Sequence, residues 1–239
     1  MLKVILNRLK PQAEKIIAEE QVGFRAGRST TEQIFNLRIL CEKYLQHQQH
    51  LYHVFIDFKK ALDRVWHAAL WATMKKYNIS TNLIRVIKNL YDKATSAVLF
   101  NSSIEDSFQT TVGVRQGCQL SPTLFNIFLE RIVTDTLENH EGTVSIGGRT
   151  ITDLRFADEI NGLAEEGKEL AKLVERLDKA STAYGMEVSA EKTRLMTNNT
   201  SGINTEIKVI GQKLETVRSL SIWAHLQLMR VPSPRCSPG

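Results

Sequence analysis

Two acidic sites in this 239-residue chain stand where an apolar run ends. Asp57 follows Tyr52-His53-Val54-Phe55-Ile56, and the pair Asp158-Glu159 follows Leu154-Arg155-Phe156-Ala157. A carboxylate closing a buried strand is costly unless something compensates its charge. A divalent metal is one such compensation. Carboxylates converging from two strands can hold a pair of Mg²⁺ ions ~3.5–4 Å apart, which activate a 3′-hydroxyl and steady a leaving pyrophosphate. The alternative is that these acids are solvated turn residues. Asp63 reads as a surface acid on the helix that follows Asp57.

A second chemical feature is the loop Gly113-Val114-Arg115-Gln116-Gly117-Cys118-Gln119-Leu120-Ser121-Pro122. Its glycines let backbone approach a ligand, and Arg115 and Gln116 supply donors. Ser121-Pro122 then starts a helix whose N-terminal end favours phosphate. Such loops are common, so the feature gains weight only in company. Lys192 reads by default as a surface lysine.

The elements that must position these residues can be read from periodicity. Residues 2–45 are helical and basic, interrupted by Val22-Gly23-Phe24-Arg25-Ala26-Gly27-Arg28-Ser29. Thr30 or Thr31 is expected to cap the next helix, which carries Ile34, Leu37 and Leu40 on one face. Tyr52–Ile56, β-branched and aromatic, reads as a buried strand, and Val65, Ala69, Leu70, Thr73 and Met74 line a helix beyond Asp57. Strands are expected at Ser96–Phe100 and Phe108–Val112, and a helix opening at Pro122 with Leu124, Ile127, Phe128 and Ile132 as its stripe. Gly147-Gly148 predicts a tight hairpin turn. Leu154–Phe156 and Ile160 flank a second hairpin with acids at its tip. Lys168 to Tyr184 is the clearest helix, capped by Gly185. Strands and helices mix without regular alternation, so the fold class is α+β.

Composition narrows the partners. The chain is 42% hydrophobic and 24% charged, with a formal charge of +5 and a pI of about 9.1. The basic balance favours a polyanion such as nucleic acid, although a solvated surface with a slight excess of Lys and Arg explains it equally. The three cysteines, Cys41, Cys118 and Cys236, form no CxxC pair and suit a reducing compartment. His47 and His50 lack companions for a zinc site. No apolar run reaches the ~20 residues of a membrane span. The expectation is a soluble intracellular protein with no membrane association and no obligate protein partner.

Taken in order, these segments resemble the reverse transcriptase domain of non-LTR (LINE-type) retrotransposons, from about Leu6 to Arg218. Gly23-Phe24-Arg25-Ala26-Gly27-Arg28-Ser29-Thr30 is similar to that family's fingers region. Phe55-Ile56-Asp57-Phe58-Lys59-Lys60-Ala61-Leu62-Asp63 resembles its first palm motif. Arg115-Gln116-Gly117-Cys118 with Leu120-Ser121-Pro122 resembles the loop and helix that cradle the incoming nucleotide. Phe156-Ala157-Asp158-Glu159 sits where the family has two aspartates, and Gly185-Met186-Glu187-Val188 with Lys192-Thr193 resembles the next motif.

The resemblance implies a right-hand polymerase of fingers (residues 1–50) and palm (residues 51–218), an antiparallel sheet with packed helices, without the thumb. The implied reaction copies an RNA template from a DNA primer with dNTPs, using two Mg²⁺ ions or Mn²⁺ in their place. Asp57 and Asp158 become the main metal ligands, with Glu159 beside them. Lys192 becomes the proton donor to pyrophosphate. Gln116, Gly117, Phe58 and Leu62 line the nucleotide site, and Arg25 and Arg28 contact phosphate.

Three departures bear on activity. Glu159 replaces the second aspartate, and its extra methylene moves the carboxylate by about 1.5 Å, a misplacement that costs on the order of 100-fold. Leu62 stands where the family commonly has Phe, whose ring blocks a ribonucleotide's 2′-hydroxyl, so discrimination against ribonucleotides should weaken. A simple core role for Leu62 is the alternative. Residues 219–239 match nothing in the family, whereas a shifted reading frame can encode a family-like continuation. A frameshift near Arg218 and a disordered, non-native tail are therefore expected. Two alternatives to a working polymerase stay open: an inactive relic that still binds RNA, and a palm-like scaffold that needs no carboxylates.

Overall fold

A computed structural model describes residues 1–92, 95–97, 99–100, 103–104, 107–198, 206–209, 211–217, 219–222 and 226–230. The chain divides into two units, Met1–Ala18 with Lys60–Arg131 and Glu19–Lys59 with Ile132–Gly239.

The first unit is mainly helical. Its helices are α1 (Leu2–Ala13), α3 (His67–Lys76) and α4 (Thr81–Asp92), together with most of α5 (Ser121–Leu137); α2 belongs to the second unit. Helix α4 buries Leu83, Ile84, Ile87 and Tyr91 at helical spacing, and the sequence reading passed over it. Between Asp57 and α3 runs a 3₁₀ turn, Ala61–Arg64. The strands expected at 96–100 and 108–112 are shorter than expected. Thr95–Ser96 pairs with Phe108–Gln109, Leu99–Phe100 pairs with Ser103–Ile104, and Trp66 bridges Val112; part of the first predicted strand lies outside the described residues.

The second unit is built on a five-stranded sheet. Its strands are β1 (Tyr52–Ile56), β2 (Asp153–Phe156), β3 (Glu159–Ala164), β4 (Arg194–Thr197) and β5 (Glu215–Thr216), in the order β5-β4-β1-β3-β2. All neighbours are antiparallel except β4 and β5. β1 pairs with two strands more than a hundred residues downstream, so its near-continuous apolar run fits its central position.

Side chains alternate between the two faces of the sheet. One face carries Phe55, Leu154 and Leu163 and packs against α2 (Thr30–Gln46) through Leu37, Leu40 and Tyr44. The other carries Val54 and Gly162 and receives α6 (Gly167–Ala183), whose Leu170, Leu173, Val174 and Leu177 are buried. Each such aliphatic burial contributes roughly 1.5–3 kcal/mol, which makes α6 the main cover of that face. Ser29, not Thr30 or Thr31, caps α2: its hydroxyl accepts from the Glu32 amide at 3.3 Å. Thr30 and Thr31 already belong to the helix, so their backbones cannot take the extended form a cap needs. The turn at Gly147 and Gly148 has both residues at positive φ (60° and 80°) between Ser145–Ile146 and Arg149–Thr150, as the Gly-Gly pair predicts. Gly185, at φ 76°, ends α6 as expected.

Ser219–Ile222 pairs with Leu226–Arg230 as an antiparallel ribbon, within the stretch expected to be disordered; residues 231–239 lie outside the described residues. Among the described residues no helix is long and apolar enough to cross a membrane.

Candidate functional site

The candidate acids come together at one end of the second unit's sheet. β1 ends at Ile56, opposite Ile160 of β3, so the next residue, Asp57, emerges beside the turn that joins β2 to β3. That turn has two residues, Ala157 and Asp158, between the paired Phe156 and Glu159. The hairpin with acids at its tip is thus formed, and it adjoins the strand that leads into Asp57.

A second segment fixes Asp57 from the other side. The Ser189 amide donates to the Asp57 carbonyl at 2.8 Å, Phe58 bridges Val188, and the Lys59 amide donates to the Glu187 carbonyl at 2.8 Å. Lys59 and Glu187 also form an ion pair at 2.6 Å. A turn then follows, with the amides of Lys192 and Thr193 donating to the Ser189 carbonyl. It carries the Lys192 ammonium to 3.5 Å from Asp57 Oδ1. Phe58, assigned to the nucleotide from the sequence, is 2% exposed and lies in the core of this junction.

The electrostatics follow from crowding three acids in a partly dry place. Burial raises the Asp158 carboxyl above the usual carboxylate range; the Asp57 charge adds to this, while a backbone hydrogen bond and Lys192 oppose it. Glu159 is pushed further, to about 7, by burial first and then by repulsion from Asp158 and Asp57. Glu159 opens β3 in the row that continues through Asn161 and Leu163, the face covered by α2. Among the described residues, no three His, Cys, Asp or Glu side chains are arranged to hold one metal ion.

The other candidates are placed as follows. Arg25 donates to the Gln21 carbonyl at 2.9 Å, and Arg28 pairs with Glu32 at 2.8 Å, both in the second unit. Leu62, Gln116 and Gly117 belong to the first unit. Leu62 is half-buried and its carbonyl accepts from the Val114 amide at 2.8 Å. Gln116 is exposed and donates to Asp63 Oδ1 at 3.3 Å, and Gly117, at φ 75°, is exposed beside it. This loop is held from behind: His67 Nε2 lies 2.7 Å from the Gly113 carbonyl, and Arg115 stacks over the Tyr91 ring at 5.9 Å. Sequence reasoning missed Gln21, whose buried amide lies against Ala157. Nothing in its local spacing signals that role, because its partner is 136 residues away.

A family model described as reverse transcriptase (RNA-dependent DNA polymerase) matches residues 1–214. The chain is 30% identical over 138 residues to the RNA-directed DNA polymerase from mobile element jockey of Drosophila melanogaster, covering 57% of this chain and 15% of that protein. It is 26% identical over 147 residues to the retrovirus-related Pol polyprotein from type-2 retrotransposable element R2DM of the same species, covering 62% of this chain and 14% of that protein. It therefore spans only a small part of the curated relatives it matches. Among solved structures, apo telomerase from Candida tropicalis, truncated from its C-terminal domain, aligns with a TM-score of 0.66 at 20% identity, covering 89% of this chain and 43% of the other. The expected α+β polymerase fold is the fold shared with that structure. With nine-tenths of its length inside one family model, the chain belongs to the reverse transcriptase (RNA-dependent DNA polymerase) family.

Proposed function

We propose that this chain carries the nucleotidyl-transfer centre of an RNA-directed DNA polymerase of the non-LTR retrotransposon type, extending a DNA primer on an RNA template with dNTPs. The observation that carries the reading is the convergence of Asp57 and Asp158, from adjacent strand ends, with Lys192 3.5 Å from Asp57.

Reverse transcriptases use divalent metal ions as a family. The acids fit such an ion in donor chemistry, being hard carboxylate oxygens that repel one another in a partly desolvated place. Asp57 and Asp158 would hold it, with Glu159 beside them. When bound, Mg²⁺ supplies charge neutralisation at the phosphates and activation of the attacking hydroxyl.

The protein's own groups do the rest. Asp57 and Asp158 are oriented by the β1 end and the two-residue turn, and alignment of this kind is most of what phosphoryl transfer asks of a protein. Lys192, with Nζ 3.5 Å from Asp57 Oδ1, is assigned to proton donation to the leaving pyrophosphate. Arg25 and Arg28 are assigned to template or nucleotide phosphate. The exposed loop of Gln116 and Gly117 is assigned to the incoming nucleotide, with Leu62 as a weak filter against ribonucleotides.

The test is primer extension on an RNA template with Mg²⁺, beside an Asp57→Ala control. Extension that disappears in the control supports the reading, and no extension from folded protein removes it. One observation favours a second reading, a chain that binds template without extending it: the Glu159 carboxyl, pushed to about 7, is incompletely ionised at neutral pH. Template binding without nucleotide addition would select it.

A further inference from the structure

Gln21 is 1% exposed, and its side-chain amide makes three hydrogen bonds to backbone. Oε1 accepts from the Gly23 amide at 2.8 Å and from the Ala157 amide at 2.9 Å, and Nε2 donates to the Ala157 carbonyl at 2.9 Å. Both polar groups of Ala157 are therefore held by one side chain from a distant part of the chain. Ala157 needs the support. Its φ is 56°, in the left-handed region that a side chain disfavours, and glycine would be the usual occupant.

The surrounding backbone is built against the same turn. The Arg155 amide donates to the Glu20 carbonyl at 2.9 Å and the Val22 amide to the Arg155 carbonyl at 3.0 Å, so residues 20–22 run along the free edge of β2. A Cβ added at Gly23 would stand 2.1 Å from the Ala157 nitrogen. Only a residue without a side chain lets the two backbones meet this closely.

Asp158 is the next residue. We propose that Gln21 is the positioning residue of the Ala157-Asp158 turn, holding Ala157 in its left-handed conformation so that the Asp158 carboxylate is presented toward Asp57. This rests on the reading of Asp57 and Asp158 as the acting pair. Gln21 itself touches no reacting atom.

The test uses the full chain with three readouts: amide exchange at Ala157, affinity for Mn²⁺ by electron paramagnetic resonance, and primer extension. Gln21→Met keeps the side chain's length while removing all three bonds. It should speed Ala157 exchange by ~10-fold or more and weaken Mn²⁺ binding by ~10–100-fold, the range for groups that orient metal ligands. Adding Ala157→Gly to Gln21→Met should restore most of the Mn²⁺ affinity, because glycine takes the conformation unaided; a merely structural role for Gln21 would not be rescued there. If Gln21→Met does not fold, Gln21→Glu, which keeps the acceptor for both amides, gives the same comparison at smaller amplitude. Unchanged exchange, or faster exchange with parental Mn²⁺ affinity, overturns the inference, as does a parent chain without Mn²⁺ affinity. A parent that binds Mn²⁺ in this Gln21-dependent way yet extends no primer rejects the polymerase reading and leaves the positioning role standing.

Discussion

Lys192 Nζ and Asp57 Oδ1 lie 3.5 Å apart although 135 residues separate them in sequence. Backbone pairing brings them together. Residues 57–59 are laced to residues 187–189, and the turn after Ser189 returns Lys192 over the end of β1. At this distance, with two-thirds of the lysine side chain exposed, the pair contributes little stability. Its effect should appear in chemistry.

Lys192→Ala should accordingly slow single-nucleotide addition by roughly 100-fold or more, the scale of a lost general acid, with little change in melting temperature. Rapid-quench measurement of one addition step reads the chemical rate. A drop in melting temperature with an unchanged rate would assign Lys192 to structure alone.

Close packing of α6 on the sheet gives a stability test away from the acids. A Cβ at Gly162 would meet Val54 Cγ1 at 2.9 Å and Leu173 Cδ2 at 3.1 Å. Gly162→Ala should destabilise the protein by about 1–3 kcal/mol, as overpacking does. Urea denaturation checks it, and Leu173→Ala in the same chain should recover part of the loss by opening space.

Much of this arrangement was legible from sequence, and the reason is locality. β1 announces itself by a near-continuous run of β-branched and aromatic residues, the Gly147-Gly148 turn by its two glycines, and α6 by four aliphatic residues at helical spacing. The acids were legible because each closes such a run. What could not be read depends on distant partners. β4 is four residues long and gains its place by pairing with β1. Gln21 looks like any polar residue entering a loop until Ala157 is set against it. The cap of α2 moved by one residue because Ser29 and Thr30 are equally good caps in isolation, and only the backbone at Ser29 (φ −147°) decides.

His53 should make stability depend on acid. It is 3% exposed, stacked on Phe55 and 3.6 Å from Cys41 Sγ, and burial lowers it from 6.5 to about 4. The unfolded chain therefore takes up the proton first as pH falls. Stability is full above 6.5 and is lost progressively down to about 4, by on the order of 3 kcal/mol at ~1.4 kcal/mol per unit. Urea midpoints should fall with acid across this range in Glu159→Gln and not when His53→Phe is added to it.

Glu159 should act with the opposite sign. Its folded carboxyl is raised from 4.5 to about 7, so the folded chain holds this proton more tightly than the unfolded chain. The contribution is fully present below 4.5 and is lost as pH rises to about 7. Between 4.5 and 6.5 the two residues offset one another, so the parent's stability profile is flatter than either variant's; Glu159→Gln should expose the slope of His53. The same proton bears on activity. Where Glu159 is protonated the cluster lacks one negative charge, so divalent-ion affinity, and with it primer extension, should rise with pH until a bound ion holds the carboxyl ionised. Glu159→Asp withdraws the carboxylate by about 1.5 Å from the α2-covered face. It should raise the rate by ~10–100-fold and move the rise to lower pH, since the placement of a ligand of this kind carries that much. Equal rates for the parent and Glu159→Asp across the whole profile would separate Glu159 from catalysis and leave Asp57 and Asp158 as the acting pair.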